Sequence, residues 1–155
     1  MKKPLKDIVL RGLDPTGHGY YGASRGNRKH QGVDYLAAAG ANVYAPITGF
    51  VAKIGQVYTH TTEFKYIEVI NDEYRWWLMY VTADEHIIKG YRVSEGEYIG
   101  GVQDIATYWN KNKKPDQDKM LNHLHVQVWK NGLPTDPEPI IELIEIYERN
   151  GTKES

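Results

Sequence analysis

Residues 30–34 are His30-Gln31-Gly32-Val33-Asp34, a stretch with two metal-binding side chains four positions apart. Because a β-strand directs successive side chains to opposite faces, both point the same way if the stretch is extended. The later stretch His123-Leu124-His125 repeats this arrangement at a spacing of two. Two such strands side by side would direct four groups into one cavity. Two imidazoles and one carboxylate are a common ligand set for catalytic zinc, and the remaining histidine would be the natural base for a metal-bound water.

Neither stretch alone establishes a metal site. An isolated His-x-x-x-Asp pattern has little specificity, and a His-x-His pair on a strand is more often half-buried structure. The chain contains no cysteine, so any metal site must use histidine and carboxylate ligands. The sequence around the two stretches has to decide between a structural and a metal-binding role.

Length and composition are those of one globular domain. The chain has 155 residues, of which 41% are hydrophobic and 25% charged, and its formal net charge is −1. A charge near zero argues against a nucleic-acid partner, and no apolar run approaches the roughly 18 residues of a membrane span. The N-terminal residues are charged and lack the apolar core of a signal peptide. We expect a monomer.

The hydrophobic pattern predicts a mainly β fold with one C-terminal helix. Short β-type runs separated by glycine, proline and asparagine turns are typical of an antiparallel β-barrel or sandwich. The predicted organisation is a leader over residues 1–13 with a short strand at 7–10, a β domain over 14–137, an amphipathic helix packed on or beside it over 138–150, and a frayed tail over 151–155. The helix has four apolar residues on one stripe: Ile140, Leu143, Ile144 and Tyr147.

Three segments allow more specific predictions. Residues 91–102 predict a strand pair around Glu95-Gly96, and residues 105–118 predict a surface loop. The glycine- and tyrosine-rich residues 14–27 form either a plain connecting loop or one wall of a substrate groove, since they run directly into the first motif. The aromatic residues of the run at 74–81 are interpreted as core and sheet-face residues: Trp76, Trp77 and Tyr80.

Four ordered motifs resemble those of the lysostaphin/LytM-type zinc metallopeptidases. Residues 30–51 resemble the first metal motif of that family and the strands after it, and residues 93–100 resemble its V-x-x-G-x-x-I-G turn. Residues 123–129, followed by Asn131-Gly132 and Asp136-Pro137, resemble its closing motif. The resemblance covers about residues 15–140.

The resemblance implies a zinc-dependent endopeptidase that hydrolyses peptide cross-links of bacterial peptidoglycan, a cell-wall lytic enzyme. It implies that Zn²⁺ is held by His30, Asp34 and His125, and that His123 is the general base. The partners would be peptidoglycan peptide stems or cross-bridges, and the place of action the bacterial cell wall. Without a visible export signal, a phage endolysin, a virion-associated protein or export by another route is expected.

One departure concerns a second non-ligand histidine, which active members of the family carry in a Tyr-x-His-Leu motif and use to stabilise the oxyanion. The matching stretch is Tyr80-Val81-Thr82-Ala83, which predicts Thr82 at the histidine position. Loss of one oxyanion donor costs about 10²–10³ in kcat. His86 is a conceivable substitute, but it would lie about 13 Å further along an extended strand. The alternative for His86 is an ordinary surface histidine.

A subgroup of similar proteins bears on whether this chain is an active enzyme. Residues 17–25, 30–34 and 43–46 also resemble the vertebrate leukocyte cell-derived chemotaxins, which are similar to these peptidases, keep the zinc ligands, lack the second histidine and act as signalling ligands. Unlike them, this chain has no cysteines for disulfides. The alternatives to an enzyme are a catalytically silent zinc-binding module that binds cell wall or a protein partner, and a structural component that uses the fold as a scaffold.

Overall fold

The computed structural model describes residues 1–153, with side chains described as far as residue 151. Residues 154 and 155 of the predicted frayed tail lie outside the described residues. The strands are β1 Leu13–Asp14, β2 Gly17–His18, β3 Ser24–Arg25, β4 Arg28–Lys29, β5 Val33–Leu36, β6 Asn42–Tyr44, β7 Gly49–Gln56, β8 Lys65–Ile70, β9 Tyr74–Met79, β10 Val81–Ala83, β11 Arg92–Val93, β12 Tyr98–Val102, β13 His123–Lys130 and β14 Leu133–Thr135. The helices are α1 Ile105–Asn110 and α2 Pro137–Lys153. Neither of these helices is long and apolar enough to cross a membrane.

The largest sheet has seven strands in the order β11-β7-β8-β9-β13-β14, with β5 also paired to β13. Strand β13 is the one that positions the site. One edge of β13 pairs with β9 along residues 125–130, while the other edge pairs with β5 at residues 123–126 and with β14 at residues 128–130. All these pairings are antiparallel, so the second histidine motif lies between strands that come from distant parts of the chain.

A smaller sheet, in the order β10-β12-β6, completes the core. Buried side chains of both sheets form one hydrophobic cluster, including Val69, Trp76 and Leu78 from the large sheet and Val43 and Ile99 from the small one. Full burial of one such side chain stabilises the fold by roughly 1.5–3 kcal/mol. The predicted mainly β antiparallel fold with a C-terminal helix is confirmed, although the sheets of residues 1–153 do not close into a barrel.

Helix α2 continues past its predicted end at residue 150. Asp136 Oδ1 accepts a hydrogen bond from the Glu138 N–H at 3.0 Å, which caps the helix N-terminus beside a proline at the first helical position. Ile141 joins the core cluster. Leu143 and Tyr147 of the predicted stripe are instead 59% and 79% exposed, so the packed face is narrower than the sequence indicates.

The N-terminal residues run beside β5. The strand predicted over residues 7–10 is wrong, because Leu10 forms only an isolated bridge with Tyr35. The next residue, Arg11, donates its backbone N–H to the Asp34 carbonyl at 2.8 Å. A short stretch of the predicted leader is thereby attached to the strand that carries the first metal motif.

Two further local predictions are wrong. The first six residues of the predicted loop at 105–118 form α1, whose N-cap Asp104 accepts a hydrogen bond from the Thr107 N–H at 3.0 Å. The residues at 91–102 do not form a strand pair, because β11 pairs with β7 in the large sheet and β12 pairs with β6 and β10 in the small one. The turn at Glu95-Gly96 therefore crosses from one sheet to the other.

Candidate metal and catalytic site

The register of β5 and β13 brings the two histidine motifs together. Asp34 lies directly opposite His125, and His30 lies just before β5. Gly32 allows this close approach, because a Cβ at that position would lie 2.3 Å from the Val126 carbonyl oxygen. A side chain there would displace the segment that connects the two predicted ligands of the first motif.

Three potential ligand atoms form a tight triangle. His125 Nδ1 lies 2.7 Å from Asp34 Oδ1 and 3.1 Å from His30 Nε2, and His30 Nε2 lies 3.3 Å from Asp34 Oδ1. Ligand atoms bound at about 2.0–2.1 Å to a tetrahedral zinc ion lie roughly 3.3 Å apart, so the triangle has a suitable size. His30 and Asp34 are buried and His125 is half-buried. Two imidazoles and a carboxylate leave one tetrahedral position for water or substrate.

Each imidazole of the triangle has a partner for its second nitrogen. His30 Nδ1 lies 3.0 Å from the Tyr20 carbonyl oxygen, and His125 Nε2 lies 3.1 Å from Gln127 Oε1. With a proton on each of these nitrogens, His30 Nε2 and His125 Nδ1 would each offer a lone pair to a metal ion. Such partners fix the tautomer and the ring orientation of metal-binding histidines. The sequence alone did not identify Tyr20 or Gln127.

Asp34 uses its two carboxylate oxygens differently. Oδ1 faces the imidazoles, while Oδ2 accepts hydrogen bonds from Arg11 Nε at 3.3 Å and Nη2 at 3.0 Å. Burial opposes ionisation of Asp34, but hydrogen bonds with His125 and His30 and the charges of His125 and His123 outweigh it and hold the pKa of Asp34 far below its usual value. Asp34 is therefore a carboxylate at neutral pH, as a metal ligand must be.

His123 lies beside the triangle rather than in it. Its Nε2 is 3.8 Å from Asp34 Oδ1, and its Nδ1 donates to the Leu121 carbonyl at 2.7 Å. Burial lowers the pKa of His123 although the Asp34 charge opposes the shift. The imidazole is thus neutral at pH 7 and carries its lone pair on Nε2, the arrangement that a general base needs. The four residues come together as the sequence indicates; their roles as ligands and base remain predictions.

Tyr80, not Thr82, is the residue that contacts the candidate base. The Tyr80 and His123 rings are perpendicular, with centroids 5.4 Å apart. Thr82 is exposed on β10, where it pairs with Gly101. Tyr80 has a backbone φ of 68°, an uncommon conformation that turns the chain between β9 and β10. Tyr80, interpreted from the sequence as a core or sheet-face residue, is half-buried and lies between β9 and β10. No local pattern in the sequence indicates its unusual φ.

His86 does not replace a missing catalytic histidine. Its Nε2 lies 3.1 Å from Glu97 Oε2, and its Nδ1 contacts an Asp84 carboxylate oxygen. The His86 side chain is 41% exposed. It is the surface histidine that the sequence offered as the alternative.

Aromatic side chains extend from Tyr80 to the protein surface. We call this group the aromatic wall; it comprises Tyr58, His60, Phe64, Tyr80, Tyr108 and Trp109. The Tyr58 and Tyr80 hydroxyl oxygens are 2.9 Å apart, and Tyr58 packs edge-on against Trp109 with centroids at 6.1 Å. Trp109 is 44% exposed. The short helix α1 supplies two members of the aromatic wall, Tyr108 and Trp109. Because the sequence predicted a loop here, it did not identify these two residues as part of the wall.

Residues 14–27 contact the site through a backbone group. Two small hairpins, β1–β2 and β3–β4, span residues 13–29, and the Tyr20 carbonyl between them contacts His30. The contact fixes the His30 ring, and both interpretations drawn from the sequence, a plain connecting loop and one wall of a substrate groove, stay predictions.

Residues 28–137, which carry the whole triangle and His123, match the model of Peptidase family M23. This chain belongs to peptidase family M23. The M23 chain is 54% identical over 43 residues to myeloid protein 1 of Gallus gallus and 50% identical over 40 residues to leukocyte cell-derived chemotaxin-2 of Bos taurus, each match covering 26% of this chain. The matches cover 13% and 26% of those proteins, so the chain spans about a quarter or less of these curated relatives.

Solved structures show the same fold as this M23 chain. LytU is 24% identical with a TM-score of 0.58, and the alignment covers 89% of this chain and 88% of LytU. The antimicrobial peptidase lysostaphin from Staphylococcus simulans is 20% identical with a TM-score of 0.60, and the alignment covers 93% of this chain and 56% of lysostaphin. At these identities the likeness establishes the fold.

Proposed function

We propose that this chain is a zinc-dependent endopeptidase that hydrolyses peptide cross-links of bacterial peptidoglycan. The observation that carries the proposal is the triangle of His30, Asp34 and His125, with the free Nε2 of His123 only 3.8 Å from Asp34 Oδ1. Membership of a peptidase family and a fold shared with the antimicrobial peptidase lysostaphin support it.

The proposed chemistry assigns a separate task to each part of the site. A zinc ion held by the three ligands would polarise the scissile carbonyl and lower the pKa of a bound water from 15.7 to about 7. His123 would accept the proton of the attacking water at Nε2 and deliver it to the leaving amine. A positioned base of this kind contributes about 10²–10⁴ in rate. The Leu121 carbonyl keeps the His123 ring in the required tautomer.

Substrate would be held between two borders. The aromatic wall offers half-exposed ring faces and phenol tips on the Tyr80 side of His123, a mixture that suits apolar and polar parts of one ligand. Residues 14–27 provide the other border beside His30. An extended peptide lying between them would present a carbonyl to the triangle.

A second candidate function is a zinc-binding module that does not cleave. The observation that favours it is Tyr80, whose phenol stands beside His123 and is engaged by the Tyr58 hydroxyl at 2.9 Å. A phenol in this place provides one hydrogen bond donor at most, and in its contact with Tyr58 either hydroxyl can be the donor. Such a module would bind cell wall or a protein partner through the same groove.

We further propose the bacterial cell wall as the place of action. This proposal follows from the proposed substrate class, since peptidoglycan forms that wall.

The experiment that tests the enzyme is the release of new amino groups from purified peptidoglycan sacculi of several wall types. The native protein is assayed with zinc and with a chelator, beside His123→Ala. His86→Ala is the matched control, since His86 is a histidine outside the site. We expect cleavage that the chelator abolishes, that His123→Ala lowers by at least about 10², and that His86→Ala retains.

The outcomes separate the two candidate functions. Cleavage with this pattern supports the endopeptidase, and the wall type that is cut narrows the bond. Protein that contains one zinc ion per chain but releases no amino groups from any wall type would favour the silent module. Cleavage that survives both the chelator and His123→Ala would contradict the proposed site.

A further inference from the structure

Arg11 is buried between two carboxylates at the back of the site. Its side chain has 0% exposure, and its Nε and Nη2 both bind Asp34 Oδ2. Its Nη1 contacts Asp14 Oδ2, and the Asp14 side chain is 2% exposed. A charge taken out of water must be paired and hydrogen-bonded, and the planar guanidinium can satisfy two carboxylates at once.

The contacts continue from Asp14 to the candidate base. Asp14 Oδ2 accepts the Leu121 N–H at 3.0 Å, and the Leu121 carbonyl accepts the Nδ1–H of His123 at 2.7 Å. A continuous chain of bonded groups therefore leads from Asp34 through Arg11, Asp14 and Leu121 to His123. Its two ends are a proposed metal ligand and the proposed base.

The backbone is shaped to allow this burial. A Cβ at Gly19 would lie 3.1 Å from both Arg11 Cβ and the Asp34 carbonyl oxygen. The Asp34 N–H donates to the Gly19 carbonyl at 2.8 Å, while the Arg11 N–H donates to the Asp34 carbonyl at 2.8 Å. The segments that carry Arg11, Gly19 and Asp34 are thus packed closely against one another.

We propose that Arg11 and Asp14 are a positioning pair that sets both the coordination mode of Asp34 and the orientation of His123. The inference rests on the proposed zinc site. Arg11 occupies Oδ2, so that Asp34 presents only Oδ1 to His30 and His125. Asp14 holds Leu121, whose carbonyl fixes the proton of His123 on Nδ1 and leaves Nε2 free.

Arg25 provides a matched control for the charge of Arg11. Its Nη2 lies 3.6 Å from Asp34 Oδ2, beyond a normal hydrogen bond, and its side chain is 14% exposed. Arg11→Met and Arg25→Met therefore remove the same charge near the same oxygen, but only the first frees Oδ2 from direct hydrogen bonds.

The first measurement is zinc affinity by competition with a chelator of known affinity. We expect Arg11→Met to bind zinc about 10–100-fold more weakly than the native chain, the usual cost of losing a partner of a metal ligand. Arg25→Met should stay close to the native value. If Arg11→Met does not fold, Arg11→Lys is used, since it keeps the charge but loses the two-nitrogen contact with Oδ2.

The second measurement reports geometry directly. In the cobalt-substituted native protein, one oxygen from Asp34 gives a four-coordinate centre with intense visible absorption. Freeing Oδ2 by Arg11→Met allows Asp34 to bind through both oxygens, which raises the coordination number and weakens those bands. In Asp14→Asn, nitrogen NMR of the zinc-loaded protein should show that His123 loses its single tautomer.

The outcomes are distinct from those for the proposed function. Native zinc affinity and a native cobalt spectrum in Arg11→Met, or in Arg11→Lys where it is used, would overturn the positioning role while leaving the zinc site intact. An unchanged His123 tautomer in Asp14→Asn would overturn the link to the base. A native chain that binds no zinc would overturn the proposed function and this inference together.

Discussion

Tyr80 and His123 meet with perpendicular rings whose centroids lie 5.4 Å apart, so a phenol stands beside the candidate base of this M23 chain. Burial raises the pKa of Tyr80, and the neighbouring Tyr58 hydroxyl adds to the shift. Tyr80 is therefore protonated at every physiological pH. It can donate a hydrogen bond beside His123, but it cannot compete with His123 as a base.

This contact predicts the effect of Tyr80→His. An imidazole in place of the phenol would restore a second non-ligand histidine beside the base, and one additional oxyanion donor is worth about 10²–10³ in kcat. We expect turnover on peptidoglycan to rise by a factor that approaches this range. Tyr80→Phe is the control, because it removes the hydroxyl without adding a donor. An equal gain in turnover in both variants would show that the Tyr80 hydroxyl obstructs the site. The site would then not lack an oxyanion donor.

Zinc should stabilise the folded chain. An ion that binds only the folded state adds about 2.7 kcal/mol at a free concentration of 100 times its Kd. We expect the unfolding temperature to rise with added zinc in the native chain and in His86→Ala, and to stay constant in His125→Ala. Calorimetry with and without zinc checks this. A zinc-dependent rise in His125→Ala equal to that of the native chain would place the metal elsewhere.

Gly32→Ala should damage the site through the backbone. The added Cβ would meet the Val126 carbonyl oxygen at 2.3 Å, so β5 and β13 must separate locally. Overpacking of this kind costs about 1–3 kcal/mol, and zinc affinity should fall because Asp34 and His125 face each other across these strands.

Gly101→Ala is the control for this substitution. Gly101 lies in β12 and Gly32 directly before β5, but the nearest atom to a Cβ added at Gly101 is 3.7 Å away, an ordinary contact. Denaturant unfolding should show a clear loss for Gly32→Ala and a small change for Gly101→Ala. Equal losses of stability would mean that both glycines matter only through backbone entropy.

The surface group around His86 predicts a modest pH dependence of stability. Hydrogen bonds from His86 to Asp84 and Glu97 raise the pKa of His86 above its ordinary value of about 6.5. Because the folded-state pKa is the higher one, the stabilisation is fully present below about pH 6.5 and is lost as the pH rises through the folded-state value.

The test compares the native chain with His86→Gln across this pH range. The difference in unfolding midpoint between them should be largest at acidic pH and should shrink toward alkaline pH. A difference that grows with pH would contradict the assigned direction of the pKa shift.

Trp109→Ala should weaken substrate binding without affecting the metal. Trp109 is the exposed end of the aromatic wall and makes ring contacts with Tyr58 and Tyr108. We expect KM on soluble peptidoglycan fragments to rise by about 10-fold, within the range for an aromatic contact residue, while zinc affinity and kcat change little. A loss confined to kcat would exclude the wall as a binding surface.

The sequence carried most of the information about the β fold and the four central residues. Alternation along short runs identifies strands wherever one face is buried, and Trp76 in the core and Trp77 stacked on Tyr66 agree with that reading. The prediction grouped His30, Asp34, His123 and His125 because an extended chain places residues of even spacing on one face. That reason holds for His123 and His125 in β13, whereas His30 lies before β5. The register that aligns Asp34 with His125 does not follow from either motif alone.

The missed features depend on contacts between distant residues. Arg11 lies in a segment without periodicity, and only its burial beside Asp34 distinguishes it from the other N-terminal basic residues. Tyr80 occupies a left-handed backbone position that only the crossing from β9 to β10 requires. Helix α1 is too short for helical periodicity, and its cap at Asp104 was the one local signal.

The proposed ligands His30 and His125 are separated by 95 positions in the chain. During synthesis on a ribosome, the first motif is therefore made long before β13 exists to complete the coordination sphere. Closing so long a loop is entropically costly, and contacts of this range form late in folding. A nascent chain would therefore have no complete metal-binding site until β13 is made. A truncated product that ends before β13 would bind zinc poorly, even if the rest of its fold formed.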